Sequence, residues 1–338
     1  MKKRKALALL SGGLDSTLAV KLMLEQGIEV EALNFTSPFC TCTSRTKQQT
    51  GCKSEAVRVA QEFGIPIKVM HKGVEYLEIV RSPRHGYGKG MNPCIDCRIF
   101  LLRKAKEYMA ESGADFVITG EVLGQRPMSQ RRDTLRVIER ESGLEGLILR
   151  PLSAKHFPPT IPEQEGWVDR DRLLAIQGRS RKEQMELADD LDVKNYPCPA
   201  GGCLLTETSF VPKIRDLFQH STTLDLRDFR LLKIGRHFRL SPNAKAIISR
   251  NEAENPLLEA QAKPDEPVIR WADGGSPVCI ITGPHDDTII DRAARILLRY
   301  TKAERGGECR IKVSIIDDLQ IRTVPHDFDD QAIEPYRI

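Results

Sequence analysis

Residues 6–20, ALALLSGGLDSTLAV, set two adjacent glycines between an apolar run and a segment that resumes with helical spacing. Glycine pairs weaken regular structure, so here the backbone either turns freely or must come close to something. A strand that ends in such a turn and feeds a helix is well suited to anions. The first helical N–H groups are unpaired, the helix dipole favours negative charge, and glycine leaves room for phosphate against the main chain. Ser11 and Ser16 add hydroxyls, and Asp15 can orient the loop or hold a magnesium ion beside phosphate. The loops G-x-x-x-x-G-K-[ST] and G-x-G-x-x-G are both absent.

The rest of the first half repeats the same rhythm. Strands are expected at 5–10, 28–35, 65–70, 115–119 and 147–152, and helices at 16–26, 53–63 and 99–111. Such alternation means βαβ units, hence an α/β fold with a parallel sheet and helices on both faces. A Pro-rich loop at 156–166 precedes two expected helices, 169–176 and 180–190. Beyond these the rhythm stops. The sequence divides into a domain over 1–206, a linker over 207–224 and a smaller α+β domain over 225–338, with one clear helix at 287–300.

At 338 residues with 40% hydrophobic and 29% charged residues, the chain reads as globular rather than disordered. The N-terminus is basic, but its apolar stretch ends at Ser11, too early for a signal peptide, and no run is long enough to span a membrane. The expectation is a cytoplasmic protein without a membrane partner. Nine cysteines in such a chain point to metal or thiol chemistry rather than to a disulfide framework.

Two stretches carry a resemblance. SGGLDS resembles the pyrophosphate loop of the PP-loop (N-type) ATP pyrophosphatases, which adenylate a carbonyl and release pyrophosphate. VITGEVLGQRPMSQRRD (117–133) resembles the TGE-x-LGQ-x-x-SQ segment of the tRNA 4-thiouridine synthase family; NFTSPF (34–39) and ILRPL (148–152) extend the match across roughly residues 5–205. The resemblance implies an adenine nucleotide alpha hydrolase-like domain that binds ATP and Mg2+ through Ser11, Gly12, Gly13, Asp15, Ser16, Gly120, Glu121 and Gln125, with Asp15 serving catalysis.

NPCIDCR (92–98) places Cys94 and Cys97 at a helix start, where unpaired N–H groups and the dipole favour thiolate. The pair reads as a redox dithiol, half a zinc site or two ligands of an iron–sulfur cluster. The segment resembles the NPD-x-x-C stretch of the tRNA 2-thiouridylase family. With a later cysteine of YPCPAGGC, Cys203 in preference to Cys198, it looks like the cluster-dependent thiolation enzymes. That resemblance implies a [4Fe–4S] cluster on Cys94, Cys97 and Cys203, with zinc as the alternative. Cys40, Cys42 and Cys52 form a second group with no counterpart in the 4-thiouridine synthase pattern. Cys279 and Cys309 read as packed residues.

Between 227 and 250 seven Lys/Arg stand against one acid, with Phe229 and Phe238 among them, a composition suited to phosphate contacts and base stacking. The segment 239–260 resembles the core of NFACT-type RNA-binding domains, with Ser249 where that core has glycine. RNA contacts are expected from Arg236, Arg239, Lys245, Arg250, Asn251 and Asn255. Together the resemblances imply an ATP-dependent tRNA sulfurtransferase that adenylates a uridine carbonyl. Its sulfur would come from a donor such as a cysteine desulfurase or inorganic sulfide, delivered from a cysteine persulfide or from iron-bound sulfide. The competing expectations are a PP-loop ligase or sulfur-insertion enzyme acting on a small molecule, and an RNA-binding regulator with a vestigial ATPase.

Overall fold

Alternation in the first strand sets the layers of the N-terminal half. In the computed structural model, which describes residues 3–40, 52–196, 202–316 and 318–338, Ala6 and Ala8 face one side of a sheet and Leu7 the other, all fully buried. A strand buried on both faces belongs inside a parallel sheet covered by helices. The chain divides into two units, Met1–Glu207 and Thr208–Ile338.

The first unit runs β1 (Lys5–Leu9), α1 (Leu14–Glu25), β2 (Glu29–Thr36), α2 (Cys52–Glu62), β3 (Ile67–His71), α3 (Gly73–Arg81), α4 (Cys94–Ser112), β4 (Phe116–Thr119), α5 (Arg132–Ser142), β5 (Ile148–Leu149), α6 (Ile161–Gln164) and α7 (Lys182–Asp190). Its five strands lie in the order β3-β2-β1-β4-β5, all parallel. Leu14, Leu18, Ala56 and Val59 of α1 and α2 pack with Ala6, Ala8 and Ile118 on one face. Ile99, Leu102 and Ile138 of α4 and α5 pack with Leu7, Leu33 and Val117 on the other. The expected α/β fold is therefore present, with helices on both faces of a parallel sheet.

Several elements of the first unit depart from the sequence reading, among them helices α3 and α6, which it does not expect. Residues 169–176 form only a short 3-10 turn (Arg170–Arg172), because Leu174 and Ile176 donate backbone hydrogen bonds to Pro151 and Leu152 (3.0 and 2.8 Å); this lateral pairing overrides helical spacing. Helix α5 was not expected. Helix α4 begins at Cys94, five residues early, so both cysteines of NPCIDCR sit in its first turn.

The second unit contains α8 (Val211–His220), α9 (Leu226–Leu231), β6 (Arg236–Arg239), β7 (Lys245–Ile248), α10 (Asn255–Glu259), β8 (Val268–Trp271), β9 (Val278–Thr282), α11 (Asp287–Leu298), β10 (Glu308–Ile315), β11 (Asp318–Pro325) and α12 (Asp330–Ile333). Its six strands are antiparallel in the order β11-β10-β8-β9-β7-β6. Helix α11 lays Ile290, Ala293, Ala294 and Leu297 on Phe238, Ile248, Ile269 and Ile281. Residues 207–224, read as a linker, carry α8, whose Ile214 and Leu217 are buried. Among the described residues no helix is long and apolar enough to cross a membrane.

Candidate functional site

Strand order reverses at β1, whose neighbours are β2 and β4, and ligands of open α/β sheets bind beyond the carboxyl ends of strands at such a switch point. The segments leaving β1 and β4 there are 10–13 and 120–125. Gly12 has φ +78°, and a Cβ on it would come within 2.6 Å of the Glu55 Cβ in α2. The loop is thus wedged against α2 and needs glycine for both reasons. Ser16 Oγ donates to the Gly13 carbonyl (2.9 Å) and accepts from the Ser11 amide (3.3 Å), and the two serine hydroxyls stand 3.1 Å apart. The side chain of Asn34 on β2 donates to the Leu10 carbonyl (2.8 Å) and so pins the end of β1.

Asp15 lies in the first turn of α1. Its Oδ2 accepts from Gln125 Nε2 (3.1 Å) and faces Arg181 Nη2 at 3.4 Å, while its buried Oδ1 has no partner. A buried carboxylate oxygen with no hydrogen-bond partner is the kind of hard donor that a magnesium ion takes. Gly120 stands directly against this turn of α1. A Cβ there would lie 2.4 Å from the Ser16 nitrogen, so it lets β4 press on the start of α1.

Glu121 is 2% exposed: Oε2 accepts from Arg150 Nε (3.1 Å) and Thr119 Oγ1 (3.3 Å), while Oε1 has no hydrogen-bond partner and faces Arg98 Nε in an ion pair at 3.4 Å. Burial would raise its pKa, but Arg98 and Arg150 hold the carboxyl below the usual range. Arg150 also pairs with Glu139. Glu121 therefore anchors Arg98 beside the thiols.

The cysteines come together through tertiary pairing. Residues 40 and 203 form an antiparallel bridge, Leu204 N donates to the Phe39 carbonyl (2.8 Å), and Met91 N donates to the Leu205 carbonyl (2.8 Å). These bonds pin the segment of Cys203 between the exit of β2 and the entry of α4. Cys97 Sγ accepts from Lys72 Nζ at 3.1 Å and is hydrogen-bonded to the buried Tyr76, over whose ring Lys72 sits at 4.4 Å. Burial would raise the Cys97 pKa, but Lys72 and Tyr76 bring it below the ordinary thiol value. Burial and the charge of Cys97 raise Cys94, and burial pushes Cys203 up to about 12. Cys97 is thus the thiol among them whose ionisation the surroundings favour. Sequence pattern singled out neither Lys72 nor Tyr76, since both lie in the separate α3 region.

Among the described residues no three His, Cys, Asp or Glu side chains form a group that could hold a single metal ion. A cluster takes about one thiolate per iron, so its ligands need not meet at one point, and three thiols in one electrostatic neighbourhood suit it in donor chemistry. Cys198 and Cys42 lie outside the described residues, as does the side chain of Cys52. Cys279 is fully buried and Cys309 nearly so.

Arg126 connects the two groups. Desolvation and the cations Arg98 and Arg181 lower its pKa, whereas Cys94 and Asp15 raise it. One guanidinium therefore feels both Asp15 beside the glycine loop and the Cys94 thiol.

In the second unit, most residues expected at RNA hold the fold. Arg239 makes a two-pronged pair with Asp216 (2.9 and 2.6 Å), and the buried Lys245 faces the same carboxylate at 3.8 Å. Asn251 caps the 3-10 turn Glu252–Glu254. Asn255 accepts from Ser249 Oγ (2.5 Å), which in turn accepts from the Val278 amide (2.9 Å). Arg250 pairs with Glu254, and Arg236 donates to the Ser249 carbonyl (3.2 Å).

Residues 2–156 match the family model of the thiamine biosynthesis protein (ThiI), and residues 235–337 that of the NFACT protein RNA binding domain. A probable tRNA sulfurtransferase of Thermoanaerobacter sp. (strain X514) is 33% identical over 150 residues, 44% of this chain and 36% of the relative. The tRNA-specific 2-thiouridylase MnmA of Syntrophotalea carbinolica is 31% identical over 188 residues, 54% of this chain and 49% of the relative. This chain therefore spans about a third to a half of the length of these relatives. A solved 4-thiouridine synthetase–RNA complex with bound ATP aligns with 68% of this chain and 52% of its own, at 23% identity and a TM-score of 0.37. The chain thus resembles the PP-loop tRNA sulfurtransferases and thiouridylases through its first unit and the NFACT-type RNA-binding domains through its second.

Proposed function

We propose that this chain is an ATP-dependent tRNA sulfurtransferase. The observation that carries the reading is that Arg126 feels the charges of both Asp15, which Gln125 and Arg181 hold at the start of α1, and Cys94 at the start of α4. The glycine loop would receive the pyrophosphate moiety, with the N-terminus of α1 and Ser11 and Ser16 supplying donors. Asp15 would hold Mg2+ through its unpartnered Oδ1.

The uridine carbonyl oxygen attacks the α-phosphate and pyrophosphate leaves; a sulfur nucleophile then displaces AMP from the activated carbon. The chain's part is to align these groups and to balance the developing phosphate charge with Arg126 and Arg181. Sulfur would be carried among Cys94, Cys97 and Cys203 by one of two routes. In one, a persulfide on Cys97, charged by a persulfide-bearing donor, attacks the activated carbon and is then cleaved by a second of these thiols, which ends in a disulfide with Cys97. In the other, it is carried as sulfide on a [4Fe–4S] cluster. Cys94, Cys97 and Cys203 would hold such a cluster, which when bound supplies an open iron for sulfide. Iron and acid-labile sulfide analysis of anaerobically purified protein separates the two routes.

The second unit would bind the tRNA. Incubating the protein with tRNA, ATP and Mg2+, and with either sulfide or a persulfide-loaded cysteine desulfurase, followed by nucleoside mass spectrometry, tests the whole reading. A thiolated uridine formed only with ATP supports it. ATP cleavage that requires a small-molecule acceptor and ignores tRNA would favour the ligase.

A further inference from the structure

Three elements of the second unit bring cations to the turn before β6. Lys213 comes from α8, Arg236 opens β6, and Arg250 follows β7. The Lys213 ammonium donates to the Gly235 carbonyl at 2.9 Å. Arg236 donates through Nη1 to the Ser249 carbonyl, and its guanidinium lies over the Tyr300 ring, 4.4 Å from the centroid. Arg250 reaches the Lys233 carbonyl (2.9 Å) and Glu254 (2.8 Å).

What distinguishes this cluster is the shortage of anions. Arg239 and Lys245 share Asp216, and Arg250 has Glu254. Among the described ion pairs, neither Lys213 nor Arg236 has a carboxylate; each is held by a neutral carbonyl. The acceptors are fixed, since Gly235 sits so close to β7 that a Cβ on it would come 2.5 Å from the Ile248 carbonyl oxygen. Lys213 is in addition destabilised as a cation by burial and by Arg250, Lys245 and Arg236, with only Glu254 opposing. A folded protein that gathers cations in this way gains when an external anion enters. A guanidinium oriented flat on an aromatic ring loses little freedom on forming paired bonds to phosphate oxygens.

We propose that Lys213 and Arg236, flanked by Arg250, form a backbone-phosphate subsite for RNA. The proposal rests on the RNA-binding reading of this unit and makes Lys213, outside the basic run of the sequence, one of its contacts. Arg239, Lys245, Asn251 and Asn255 then shape the subsite without touching RNA.

The test is tRNA binding to the full chain, measured by fluorescence anisotropy across a salt series. Lys213→Gln and Arg236→Gln are each expected to reduce the slope of log affinity against log salt by about 0.9, one phosphate contact. Lys213→Arg should retain the slope, which separates charge from folding damage. Arg295→Gln and Arg299→Gln on α11, whose arginines pair with Asp327 and Asp330, should leave it unchanged. Tight wild-type binding with unaltered slopes in both glutamine variants would overturn the subsite alone. Absence of salt-dependent binding by the wild-type chain would overturn the RNA reading and the subsite with it.

Discussion

Gly120, at the end of β4, touches the start of α1 so closely that a Cβ on it would stand 2.4 Å from the Ser16 nitrogen and 2.5 Å from the Asp15 carbonyl carbon. Both neighbours are backbone and cannot swing aside. The substitution Gly120→Ala must therefore push β4 away from the phosphate loop. It is expected to destabilise the first unit by about 1–3 kcal/mol and to weaken ATP binding. Thermal melts with and without ATP-Mg2+ check this. Unchanged nucleotide stabilisation would contradict it.

Asp15 is held by Gln125 and Arg181 on one oxygen and is unpartnered on the other. Asp15→Asn keeps the shape and removes the charge that would bind Mg2+. Pyrophosphate release should fall by roughly two orders of magnitude while the melting temperature stays near that of the wild type. Retention of full pyrophosphate release would mean that Asp15 does not hold the metal.

Cys97 owes its lowered pKa to Lys72 and Tyr76, which outweigh burial. Lys72→Met removes the cation and leaves burial, so the thiol pKa rises. Alkylation of Cys97, followed by peptide mass spectrometry across a pH series, should shift its midpoint to higher pH. The rate at neutral pH should drop. A midpoint that stays in place would mean that Lys72 does not set the protonation of Cys97.

The Lys213 ammonium has its pKa lowered to about 8, by burial first and then by Arg250, Lys245 and Arg236, with Glu254 opposing. A lysine that loses its proton near that pH loses its pull on phosphate. RNA affinity should thus fall as pH rises from 7 towards 9, with Lys245, also near 8, adding to the trend through the same cluster. Lys213→Arg stays charged throughout and should flatten the profile. Equal pH dependence in the two proteins would show that Lys213 is not the titrating contact.

Patterns local in sequence were legible and patterns made by long-range contact were not. Strands β1, β2 and β4 showed as apolar runs bounded by turns, and the glycine break after β1 marked the phosphate loop. Helix α5 could have been found, since Leu135 and Ile138 are buried three apart and Gly143 closes it with φ +67°. The arginine-rich composition around those residues hid the spacing. The segment 169–176 was misread because its structure comes from bonding to Pro151 and Leu152. The roles of Lys72 and Arg126 depend on contacts between segments far apart, which spacing does not encode. Charge counting in the second unit could not see that Arg239 and Lys245 face Asp216, since that carboxylate lies in α8, outside the basic run.

The most direct measurement is mass spectrometry of nucleosides from tRNA treated with the purified protein, ATP and Mg2+, with sulfide in one series and a persulfide-loaded cysteine desulfurase in a second, comparing wild type with Cys97→Ser and Cys279→Ser. The account predicts one thiolated uridine with the wild type and with Cys279→Ser, and none with Cys97→Ser. Thiolation that persists without Cys97, or that is absent from every reaction while ATP is still cleaved, would contradict it.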